Sequence, residues 1–132
     1  MRNPLAALTL SMTCAAAHAQ DAHVTQLMKD ALAAKPGHEV TMLTVEYPPG
    51  GSSKPHRHDA QVFVYVLDGT VTMQVKGGPL RTLKSGDTFY EAPNDEHIVS
   101  ANASQTQPAK FLVFMIKDAN APVTRVIEGN TQ

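Results

Sequence analysis

Pro48-Pro49-Gly50-Gly51-Ser52-Ser53-Lys54-Pro55-His56-Arg57-His58 runs shortly into Val62-Phe63-Val64-Tyr65-Val66-Leu67, and the fold follows from how these two pieces join. The first piece is rich in Pro and Gly, residues that punctuate regular structure. The second is a nearly continuous apolar run of β-branched and aromatic residues, the texture of a strand covered on both faces. In an extended backbone residues i and i+2 point the same way, so His56 and His58 can aim at one point. A third histidine, His97, sits downstream in a similar setting after Ala92-Pro93-Asn94. Three neutral imidazoles converging from β segments make a candidate site for a transition-metal ion.

Outward from that stretch the texture stays β. Glu39–Tyr47 alternates and ends at Pro48-Pro49, and Asp68-Gly69 makes a tight turn into Thr70–Lys76. Leu80–Leu83, Thr88–Glu91, Glu96–Ser100 and Lys110–Lys117 follow as further short strands, separated by turns and one polar loop at Asn102–Pro108. Val123–Ile127 adds an edge strand. Regular short strands punctuated by Gly, Pro, Asn and Asp indicate a β-sandwich or barrel over residues 39–128. Before it, in residues 20–38, Val24, Leu27, Met28, Ala31 and Leu32 fall at helical spacing. That spacing predicts one short helix over Ala22–Ala34, stopped by Pro36-Gly37.

The chain has 132 residues, enough for one domain with one core. Residues 1–19 read as a signal peptide: Arg2, then the apolar Leu5–Leu10, then Ala17-His18-Ala19 as a cleavage site before Gln20. The apolar run is far shorter than the ~20 residues of a membrane span. Export to a bacterial periplasm or outside the cell is therefore expected. A rival reading of Cys14 as a lipidation site is poorly served by Ser11-Met12-Thr13. Cys14 is the only cysteine, so once the signal is cut the mature chain has no disulfide and no thiolate. Net charge is −1, and losing Arg2 makes it −2. No basic cluster argues for nucleic acid, so no nucleic-acid partner is expected and a small molecule is.

The arrangement resembles the cupin family. That family's first motif runs Gly, five residues, His-x-His, three or four residues, Glu, six residues, Gly; here Gly50, His56, His58 and Gly69 fit, with Val62 at the Glu position. Its second motif runs Gly, five residues, Pro-x-Gly-x-x-His, three residues, Asn. Gly86 and His97 match it, Ala92 and Asn94 replace Pro and Gly, and the Asn is displaced to Asn102. The resemblance covers roughly Thr41 to Ile116 and implies an all-β jelly-roll barrel, the double-stranded β-helix, with a mononuclear metal centre inside.

The family's usual three-His, one-Glu centre would here be His56, His58 and His97 with an open position. Residues 56, 58, 60 and 62 share a face, so Gln61 reaches the metal only through a β-bulge, as a weak fourth ligand. Glu46, Glu91 and Glu96 lie near the motifs, without a signal for which one turns inward. Imidazoles suit Fe, Mn, Ni, Cu or Zn. A three-His centre resembles those of thiol and diketone-cleaving dioxygenases, which implies metal-dependent oxidation or isomerisation of a small molecule. The alternative is a non-catalytic module that binds a ligand or metal, including a cupin that has lost its centre. Val62, Val64, Tyr65, Met73, Tyr90 and Phe114 are pocket candidates, core being the commoner role for such residues. A homodimer is expected, because small jelly rolls of this family commonly pair barrels and the apolar strands leave two faces to cover.

Overall fold

The computed structural model describes residues 21–129; the expected signal peptide over residues 1–19, with Cys14 and His18, lies outside them. Within that range every regular element is a strand: β1 His23–Ala31, β2 His38–Tyr47, β3 His56–Arg57, β4 Ala60–Asp68, β5 Thr70–Val75, β6 Arg81–Lys84, β7 Thr88–Glu91, β8 His97–Asn102, β9 Ala109–Asp118 and β10 Arg125–Val126. They form two antiparallel five-stranded sheets, ordered β1-β2-β9-β4-β7 and β10-β3-β8-β5-β6. This is the two-sheet β architecture that the strand spacing indicated and the jelly roll that the family resemblance implied. Among the described residues no helix is long and apolar enough to cross a membrane.

The core lies between the sheets and follows strand parity. Leu43, Val45 and Tyr47 of β2, Val62, Val64 and Val66 of β4, and Phe111, Val113 and Met115 of β9 are all buried on the inner face. Burying each such side chain contributes roughly 1.5–3 kcal/mol, so a charged residue on this face needs strong compensation. Glu39 and Lys117 receive it from each other. They are register partners across β2 and β9, their charged atoms lie 2.6 Å apart, and Lys117 also donates to the Asp118 and Ala121 carbonyls.

The turns that set the registers use the expected chemistry. Gly69 has φ 73°, and a Cβ there would come within 2.8 Å of the Ala109 Cα; the turn between β4 and β5 thus needs glycine for both conformation and space. Asn94, the residue at the family's Gly position, is the one non-glycine with positive φ (66°) among the described residues. Asn tolerates that region better than most side chains.

The short N-terminal helix is not formed: His23–Ala31 is strand β1. It pairs with β2 from His23↔Glu46 to Ala31↔Glu39, with a bulge between Gln26 and Met28. All nine residues are exposed, so an amphipathic helix here would have had little surface to bury, while the free edge of β2 offered backbone hydrogen bonds that need no burial. The bulge shifts the facing at Leu27, which is how helix-like apolar spacing coexists with a strand.

Candidate metal centre

His56 and His58 arrive on and just after β3, which crosses from the Pro-Gly turn, and His97 opens β8 directly opposite His56 in the register. The three rings meet inside the barrel, with centroids of His56–His58 and His56–His97 each 4.9 Å apart. A fourth side chain joins them. Glu91 ends β7, is 2% exposed, and places its carboxylate 3.2 Å from His97 Nδ1 and 3.8 Å from His58 Nε2. One ligand atom from each of His56, His58, Glu91 and His97 lies within 4.8 Å of all the others.

The origin of Glu91 explains the missing carboxylate. In the antiparallel ladder Val62 of β4 faces Glu91 of β7 as direct register partner. Both point inward, and cross-strand partners stand with Cβ atoms about 5 Å apart. The acidic group absent at position 62 is therefore supplied from the facing position on the neighbouring strand. Gln61, by contrast, lies exposed on the outer face, and the β4 pairing runs without a bulge from Ala60 through Val66. Its amide is held away from the cluster.

Hydrogen bonds orient the rings. His56 Nδ1 lies 2.7 Å from the Lys54 carbonyl and His58 Nδ1 2.6 Å from the Val123 carbonyl. Carbonyls only accept, so each Nδ1 carries the proton and each Nε2 presents a lone pair, the usual arrangement for a metal-ligating imidazole. Burial lowers the His56 pKa, opposed by the bond to Lys54 and aided by the neighbouring rings of His58 and His97; its ring is thus a neutral donor at pH 7. Burial pushes Glu91 upward, but the adjacent His97 and the other two imidazoles together outweigh it and leave the carboxyl below its ordinary value.

The set fits a metal ion. His97 Nε2 and Glu91 Oε2 are buried without a hydrogen-bond partner among the described residues, a costly condition unless something else binds them; His97 Nδ1 faces Glu91 Oε1 at 3.2 Å. Donor atoms across one ion of this size are at most about 4.2 Å apart, so small side-chain rotations close the set. Three imidazoles and one carboxylate suit Fe, Mn, Ni, Cu or Zn, and the bound ion would act as a Lewis acid.

The cluster opens into a cavity of about 290 Å³ lined by Val62 and Val64 and by Leu43, Val45, Phe111 and Met115. The remaining pocket candidates lie elsewhere. Tyr65 and Tyr90 are 46% and 48% exposed on the outer face, Phe114 has the same outward parity, and Met73 is fully buried in the core. Strand parity separates the two groups: even-numbered β4 residues turn in, while Phe63 and Tyr65 turn out. Residues that sequence reasoning left out line the cavity: Tyr47, Ser53 and Ser100, plus Val123 and Val126 of the C-terminal segment. The even-odd pattern of β2 carried a signal for Tyr47; no local pattern announced the others.

The family description "Cupin domain" matches residues 43–115. No curated protein sequence matches the chain. Among solved structures, a cupin-like protein from Thermotoga maritima superposes with a TM-score of 0.64 at 20% identity, covering 84% of this chain and 79% of that one. An oxalate oxidase in complex with the substrate analogue glycolate gives 0.63 at 25% identity, covering 80% and 55%. The DMSP lyase DddQ from Ruegeria pomeroyi DSS-3 gives 0.61 at 20% identity, covering 70% and 45%. The chain thus spans about half the length of those two enzyme chains.

Proposed function

The chain belongs to the cupin domain family, and from that membership and the His56–His58–Glu91–His97 cluster we propose that it is an exported metalloenzyme acting on a small molecule. The observation that carries the reading is the pair of buried, unpartnered atoms His97 Nε2 and Glu91 Oε2 within one cluster of possible ligands. His56, His58, Glu91 and His97 would hold a mononuclear divalent ion, which would supply Lewis acidity there. The protein's own part is to fix the imidazole tautomers through Lys54 and Val123, to exclude bulk water with the apolar wall, and to hold the substrate beside the cluster. Oxidation or isomerisation is the proposed chemistry, on the family resemblance. The similarity to an oxalate oxidase and to a DMSP lyase supports an enzyme over a passive binder.

Export rests on the leader-like residues 1–19. Homodimerisation rests on the apolar outer face of the first sheet, where Phe63, Tyr65, Leu67 and Tyr90 are 40–48% exposed.

The test is metal analysis of the protein purified from its secreted fraction, together with N-terminal sequencing. About one divalent ion per chain, lost in His56→Ala, and a first residue of Gln20 are expected. Oxygen uptake or product formation with Fe-, Mn-, Ni-, Cu- or Zn-loaded protein then separates enzyme from binding module. Equal, near-zero metal in both proteins would end the metal reading.

A further inference from the structure

The cavity beside the metal cluster carries two features that metal binding alone does not use. The first is its charge inventory. Of the side chains lining it, only Asp21, Lys54, Glu91 and the three histidines are ionisable with acidic or basic character near neutral pH. Asp21 and Lys54 are both exposed to solvent and carry opposite charges. The interior therefore holds one carboxylate, three imidazoles and no ammonium or guanidinium group. With a divalent ion in place the interior sums to a single positive charge.

The second feature is a hydroxyl cluster. Tyr47 Oη lies 2.7 Å from both Ser53 Oγ and Ser100 Oγ, and all three residues line the cavity. Three hydroxyls carry three hydrogens, but only two bonds join them, and neither serine Oγ has another partner among the described hydrogen bonds. One O–H is left without a partner among the described hydrogen bonds, on a cluster that lines the cavity. Burial raises the Tyr47 phenol above its ordinary value, only partly opposed by its two serine partners, so the cluster acts as a neutral donor. The rest of the wall is mainly apolar, with Leu43, Val45, Val64, Phe111, Val113 and Met115 its larger side chains and Ser52 and Thr124 its other hydroxyls.

We propose, building on the metal reading above, that this site selects a compact, mainly apolar molecule that chelates the metal through oxygen as a monoanion and rests a further neutral oxygen on Tyr47–Ser53–Ser100. A monoanion brings the metal, Glu91 and ligand to neutrality inside an apolar wall. A dianion leaves an uncompensated negative charge there, which costs desolvation with no cation to meet it. At about 290 Å³ the cavity accommodates on the order of ten to fifteen non-hydrogen atoms, at the low end of small-molecule sites. Small dicarboxylates are thereby disfavoured on charge, and large flat polycycles on size.

Two bidentate oxygen chelators test this. Maltol binds metals as a monoanion and carries an additional ring oxygen on a flat apolar body; oxalate binds as a dianion. Zn-loaded protein of measured stoichiometry is titrated with each by calorimetry, and each affinity is divided by that of the same compound for free Zn in the same buffer. Maltol should exceed oxalate by at least about tenfold on this normalised scale. Tyr47→Phe should lower maltol affinity by about three- to tenfold while leaving Zn affinity unchanged, and Ser100→Ala should do the same if Tyr47→Phe folds poorly. A normalised preference for oxalate, or maltol binding indifferent to both variants, would overturn the inference alone. A protein that takes up no Zn would overturn the metal reading and the inference together.

Discussion

Exchanging the residues at positions 62 and 91 tests whether Glu91 fills the acidic place in the cluster. In Glu91→Val the site loses its only carboxylate among the described residues near the imidazoles. Even at about 4 Å, longer than a direct metal–oxygen bond, a unit charge and a divalent ion attract by roughly 8 kcal/mol at an effective dielectric of 20. Against this stands the several kcal/mol needed to keep a carboxylate dry, and Glu91 is 2% exposed. A net loss of about 3 kcal/mol remains, or about 100-fold in metal affinity. The fold should survive, because valine suits a strand and no buried charge is left behind. In the double variant Val62→Glu/Glu91→Val the carboxylate returns from the facing strand position, and affinity should recover to within about tenfold of the parent. Competition against a chromophoric chelator gives the affinities, and circular dichroism confirms folding. Unchanged metal affinity in folded Glu91→Val would refute the role of Glu91. A folded double variant as weak as the single one would refute the equivalence of the two positions.

Other consequences follow from neighbouring contacts. The Val123 carbonyl fixes His58 Nδ1, and β10 is tied to β3 through Arg125↔Arg57 pairing and an Arg125–Asp59 ion pair at 2.6 Å; deleting residues from Val123 onward should lower metal affinity by about 10–100-fold, measured by the same competition. If the deletion leaves affinity intact, the C-terminal segment only covers the cavity. Burial lowers His56 from its ordinary value of 6.5, so below that pH the unfolded chain binds more protons at this position than the folded one. Metal-free protein should therefore lose stability as pH falls through about 6.5, with a shallower slope in His56→Gln; urea unfolding at several pH values reads this, and equal slopes would contradict it. Phe63 packs at a tilt against Tyr90 and Phe114 on the outer face, at 5.3 and 6.1 Å between ring centroids. Phe63→Lys should convert a dimer to a monomer in sedimentation at micromolar concentration; a parent protein that is already monomeric would remove the dimer.

The barrel was legible because its information is local. Alternation along β2, β4 and β9 fixes which residues turn inward, and Gly, Pro and Asn mark the turns between them. The same parity keeps Gln61 outside and brings position 62 inside. What local pattern does not carry is which strand lies beside which. Val24, Leu27 and Met28 gave a helical period, yet the deciding partner was the unpaired edge of β2, and nothing within residues 22–34 describes that edge. Tyr65, Tyr90 and Phe114 were attractive as pocket aromatics for their chemistry, whereas their facing depends on the sheet layer they belong to.

Glu91 shows the same limit at the centre of the site. Along the chain it is 29 residues from Val62, and no motif spacing connects them; in the sheet the two are paired directly. An ion senses the direction and distance of a donor atom, not the strand that carries it. In an antiparallel sheet a register pair offers two backbone origins for nearly the same point in space, so a ligand can leave one strand and reappear on its neighbour while the coordination set is kept. A motif with valine at its acidic position therefore does not by itself mean a three-ligand centre. The deciding question is which inward-facing residue sits opposite that valine, and here it is a buried carboxylate within reach of His58 and His97.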